Sequence, residues 1–209
     1  MKSRLSSMLD LQDAMNSKVN ADWRAQGFPW YRAIWVECAE LLDHYGWKWW
    51  WKHQQPDMEQ VKLELIDIWH FGLSQLLLDN ADEEALATDL AKIFQAADSA
   101  GAADFRDQLE AFTLSTLSTR GFDPQQFVVL LNCAELDFDE LYTRYVGKNV
   151  LNFFRQDHGY QSGSYSKNWG GREDNEHLVE LSLELDAADP AFKDALYAAL
   201  TARYTALTA

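Results

Sequence analysis

Cysteine, proline, glycine and positive charge are all scarce in this 209-residue chain. The two cysteines, Cys38 and Cys133, sit in apolar, helical-looking stretches. They supply neither a disulfide framework nor a zinc spacing, which fits a reducing compartment. Only four prolines and ten glycines interrupt the chain, and no window alternates with period two between hairpin turns, so a sheet-based fold is not expected. Residues 1–20 hold no hydrophobic stretch of signal-peptide length, and no run approaches the roughly 20 apolar residues of a membrane span. A soluble protein of the cytoplasm with no membrane partner is expected. Lysine and arginine number 18 against 33 acidic residues, a net charge of −15. A surface that acidic repels DNA and RNA, so a polymeric nucleic-acid partner is not expected. A small phosphorylated ligand stays compatible, provided cations gather locally.

What is there is apolar and helical. Hydrophobic residues make up 47% of the chain, enough for a substantial core and against disorder. Residues 5–20 form an amphipathic segment with Leu5, Met8, Leu9, Ala14 and Met15 apolar. A second helix opens at Pro29 and stops at Gly46. A third, about Met58 to Leu78, is apolar on almost every face and should be buried by its neighbours. The acidic, alanine-rich stretch 82–123 reads as one or two helices with breaks at Gly101 and Gly121, a possible variable subdomain within a single domain spanning 1–209. Another helix follows Asp123-Pro124. A long one begins at Asp137 with Glu140 completing a capping box and stops at Gly159. Residues 159–175 are rich in Gly, Ser, Tyr, Asn and Trp, and Asp189-Pro190 starts a closing helix. The expected fold is therefore all-α: a helical bundle carrying a smaller helical subdomain.

Two acidic pairs carry the chemistry. Glu37 and Glu40 lie in WVECAELLD, and Glu64 and Asp67 lie in ELIDIWHF. Residues three apart share one helix face and converge on one point. Glu37 lies on the stripe of Ile34, Cys38, Leu41 and Tyr45, and Glu64 shares a face with Val61, Ile68 and Phe71. A single such pair would ordinarily bond lysine or arginine on a helix surface. Two pairs inside apolar stripes would repel one another unless a cation neutralised them. Oxygen ligands on facing helices favour Mg²⁺, for which Mn²⁺ can substitute, over zinc. Asp67-x-x-His70 has no matching histidine on the other helix, which argues against a di-iron centre.

The helix ending at Gly159 presents Lys148, Asn152 and Arg155 on one face, and the following segment adds Tyr160, Tyr165, Lys167 and Asn175. Such a cluster suits polyphosphate oxygens, and the Gly/Tyr/Asn composition suits a closing lid. No Walker A or Rossmann fingerprint is present. Trp47, Trp49, Trp50 and Trp51 are expected in the core or an interface, with one able to stack on a base. Gln12 and Asn16, one turn apart, can read a pyrimidine edge, although such paired amides are more often ordinary surface residues.

Taken in order, LQDAMN, VECAELLD with WKWWWK, ELIDIWHF and the run from Lys148 to Asn175 resemble the dimeric all-α dUTP diphosphatases, within the wider all-α NTP pyrophosphatases. The resemblance implies magnesium held by Glu37, Glu40, Glu64 and Asp67. It implies phosphate contacts from Lys148, Asn152, Arg155 and Lys167, and a nucleoside site drawing on Gln12, Asn16, Trp50, Phe71, Tyr160 and Asn175. One glutamate of the first pair, Glu37 for preference, would orient or deprotonate the attacking water. The implied substrates are dUTP and dUDP, the product dUMP, and the assembly a homodimer. A dCTP-preferring or dual dCTP/dUTP pyrophosphatase is the alternative within enzymes, and a non-catalytic helical metal-binding or regulatory protein the rival outside them.

Overall fold

The computed structural model describes residues 1–51, 55–96, 104–187, 189 and 191–208. Among these, the helices are α1 (Lys2–Val19), α2 (Trp30–Tyr45), α3 (Met58–Asp79), α4 (Glu83–Ala96), α5 (Phe105–Thr119), α6 (Pro124–Cys133), α7 (Phe138–Asp157), α8 (Asp174–Leu183) and α9 (Phe192–Thr208). A short 3-10 turn spans Trp23–Ala25, and a hairpin of two-residue strands, β1 (Asn168–Trp169) and β2 (Arg172–Glu173), precedes α8. The fold is all-α.

Aspartate side chains set several helix starts. Asp57, Asp104, Asp123 and Asp137 each accept a backbone N–H of the first turn, satisfying donors that have no intrahelical partner. At α7 only half of the anticipated capping box forms. Glu140 receives Lys62 and Arg144 instead of reaching back to the cap. Glycine ends α2 at Gly46 as anticipated.

Helix α3 is the hub, packing against α1, α2 and α7. Its apolar surround is the reason: Val61, Leu65, Ile66, Ile68, Trp69 and Leu73 are all fully buried. Trp69 stacks on Phe127 of α6 at 5.2 Å, and Phe122 packs beside them. A side chain at Gly72 would meet the Phe122 ring at 2.5 Å, so glycine is what lets that ring lie against α3. The acidic stretch forms α4 and α5, which pack on α1 and α2 respectively and meet α6. Gly101, expected to break that stretch, and Pro190, expected to open the last helix, lie outside the described residues.

Two elements were not anticipated from sequence. The hairpin turns on Gly170 and Gly171, both at positive φ, with Asn168 opposite Glu173 and Trp169 opposite Arg172. Helix α8 follows at once, because the segment is pinned rather than open. Trp169 is fully buried and stacks on His177 of α8, and the Tyr165 hydroxyl bonds Asp174. Of the two places expected for the tryptophans, the core is ruled out for Trp49, Trp50 and Trp51, which are exposed, Trp49 by 84%. Trp50 packs edge to face on Trp47 and Trp49.

Candidate active site

The pairing of α2 with α3 creates the acidic region. Because α2 buries Ile34, Cys38 and Leu41, the adjacent Glu37 is carried to the helix boundary, where α3 presents Glu64. Carboxylate oxygens of Glu37, Glu40 and Glu64 all lie within 4.8 Å of one another. Burial, reinforced by the charges of Asp67, Glu64 and Glu40, pushes Glu37 from 4.5 up to about 8. Burial, then the Asp67 charge, pushes Glu64 up as well. Carboxyls raised in this way mark negative charge with too little compensation. His44 Nε2 lies 3.5 Å from Glu64 Oε1. Three hard oxygen donors converging in this way fit a divalent cation of the magnesium type. Asp67, one turn along α3, receives the Lys148 ammonium at 2.8 Å.

Beside the carboxylates lies a cavity of about 370 Å³. It gathers ten of the residues expected from sequence: Gln12, Asn16, Glu37, Asp67, Phe71, Lys148, Asn152, Arg155, Tyr160 and Lys167. Four others stand outside its wall. Glu40 is exposed beside Glu37 and Glu64, Glu64 is buried, Asn175 accepts from Lys148 at 3.2 Å, and Trp50 belongs to the exposed tryptophan group.

The cations are held before any ligand arrives. Arg155 donates from Nε and Nη2 to the two oxygens of Asp174, at 2.9 and 2.7 Å. Burial works against the guanidinium charge, but the Asp174 bonds and charge outweigh it and raise Arg155 above its ordinary value. Nη1 also donates to Asn152 Oδ1 at 3.2 Å. The Lys167 ammonium rests over the Tyr160 ring, 5.6 Å from its centre.

The opposite wall is amide and aromatic. Gln12 and Asn16 are not surface residues. They are buried, with Gln12 Nε2 donating to Asn16 Oδ1 and Ser74 Oγ. Gln12 Oε1 accepts from the Tyr145 hydroxyl at 3.0 Å and faces His70 Nδ1 at 2.8 Å. Burial pushes His70 down to about 3, so its ring is neutral at physiological pH, and its Nε2 has no hydrogen-bond partner among the described residues. Sequence reasoning used His70 only to argue against di-iron, and it missed Trp23, Phe28 and Trp30, which also line the cavity. Trp30 packs edge to face on Phe28 at 5.8 Å and tilts against Phe71 at 6.2 Å. Their signal was an aromatic cluster just ahead of the first acidic helix. Asp174 was missed too, although it sits beside Asn175 in the same motif.

A family model described as dUTPase matches residues 4–160. No curated protein matches the chain. The matched span carries both acidic pairs, the buried amides and the Lys148–Arg155 face. With that match over most of its length, the chain belongs to the all-α dUTPase family, dUTP-hydrolysing nucleotide diphosphatases that generally use a divalent metal.

Proposed function

We propose that the protein uses magnesium, replaceable by manganese, to hydrolyse both dUTP and dUDP to dUMP, limiting uracil incorporation into DNA. The observation that carries this reading is one cavity with carboxylates on one side, paired cations on another and a buried amide–aromatic wall on a third. Glu37, Glu40, Glu64 and Asp67 would hold the metal. Bound there, it would offset their charge and lower the pKa of a water.

The chain's own groups do the rest. The Glu37 carboxylate orients the attacking water and accepts its proton. Arg155, Lys148, Lys167 and Asn152 bind phosphate oxygens and stabilise the charge that develops as the bond breaks. Gln12, Asn16, Phe71, Tyr160 and His70 receive the nucleoside, and Asn175 supports it through Lys148. The segment 159–175 shields the phosphates from bulk water. The residues work as a single domain over 1–209, with 82–123 as an elaboration on it. Exposed tryptophans after α2 support a homodimer, and a cytoplasmic location suits a chain with only two cysteines.

The test is release of pyrophosphate and dUMP from dUTP with magnesium, beside dUDP, dCTP and dTTP. Metal-dependent cleavage of dUTP and dUDP alone is the expected result. A preference for dCTP would keep the metal site and replace the base assignment.

A further inference from the structure

Helix α8 begins with two adjacent side chains that each grip a cation of the cavity. Asp174 is fully buried and takes Nε and Nη2 of Arg155, while Asn175 Oδ1 accepts from Lys148 Nζ at 3.2 Å. Asp174 is itself fixed from the far side, because the Tyr165 hydroxyl donates to its Oδ2 at 2.8 Å. With Nε and Nη2 engaged, the guanidinium is locked in one plane, and its remaining N–H groups are what a ligand in the cavity can meet. None of Asp174, Asn175 and Tyr165 lines the cavity, and all three lie beyond the residues that the family model matches.

Burying an aspartate this completely is costly and brings little net stability compared with an apolar replacement. Its geometry serves orientation better. We propose that Asp174 is a positioning residue for phosphate cleavage: it acts through Arg155, holding the guanidinium at the angle where it meets charge developing on the phosphate chain. Tyr165 is the outer support of the same device. Misplacing a charged group by about 1 Å can cost on the order of 100-fold in rate. The effect belongs to kcat more than to KM, since ground-state phosphate is still attracted by Lys148 and Lys167.

The inference rests on Arg155 as a phosphate ligand, and the experiment separates the two. Steady-state kinetics on dUTP with magnesium would compare wild type, Asp174→Asn, Arg155→Lys and the double variant, with circular dichroism to confirm folding. Asp174→Asn should lower kcat on the order of 100-fold with KM changed by less than about threefold. In the Arg155→Lys background the same change should cost less than about threefold, because the group it aims is gone. Tyr165→Phe, a milder change that tests the device should Asp174→Asn fail to fold, should lower kcat alone by about three- to tenfold. Equal losses in both backgrounds, or a Tyr165→Phe loss confined to KM, would overturn the positioning role. Full activity in Arg155→Lys would instead remove the phosphate reading of Arg155 on which it stands.

Discussion

Two charged regions meet at this cavity and are built on opposite plans. On α2 and α3, Glu37, Glu40 and Glu64 converge without enough positive charge, and burial with neighbouring carboxylates raises two of them above the ordinary value. On α7 and α8, Arg155 and Lys148 already have acidic or amide partners in place. The first region has little positive charge set against it, whereas the second is paired within the fold. Repulsion is tolerated where a ligand is meant to bind, and pairing is used where a side chain must be aimed. Asp67 joins the two, since it raises Glu37 and Glu64 while bonding Lys148.

The contrast can be broken from either side. Glu64→Gln should leave helical circular dichroism unchanged and cut magnesium-dependent dUTP turnover by on the order of 10³-fold. A near-normal rate would remove this carboxylate from the metal site. Stability should then respond with opposite signs in the two regions. Asp174→Ala leaves a buried guanidinium unpaired and should cost about 3–5 kcal/mol in urea unfolding. Glu37→Gln relieves repulsion and should raise the metal-free melting temperature by roughly 2–4 °C above pH 8.

The pH dependence sharpens the same point. Glu37 titrates at about 8 in the folded chain against an ordinary 4.5, so between those values the folded state carries the extra proton. Metal-free stability should therefore fall as pH rises from about 4.5 through about 8 and level off beyond. Glu64, raised in the same direction, steepens the decline. Added magnesium should flatten the profile, and differential scanning calorimetry with EDTA or magnesium would read both curves. The smallest effects concern the aromatics. Trp30→Ala should raise KM for dUTP by about tenfold through lost ring contact, whereas Trp50→Ala, exposed and away from the cavity wall, should change it less than about twofold. The reverse ranking would move the nucleoside to the tryptophan turn.

Helical periodicity made the all-α fold readable, and the three-residue spacing inside apolar stripes made the two acidic pairs readable. Those features depend on neighbours along one helix, which sequence spacing reports directly. The chain by itself thus determined the elements, the acidic character of the region at α2 and α3, and the cationic face of α7. Tertiary structure alone decided that Lys148 reaches Asp67 across 81 positions of sequence, that Gln12 and His70 meet, and that Trp50 stays outside. It also decided that Asp174 closes on Arg155, because a two-residue glycine turn folds the hairpin back and starts α8 there. The reason is physical. Burial and partner choice are set by which faces pack together, and a side chain's neighbours in space lie on other elements whose register no local pattern records.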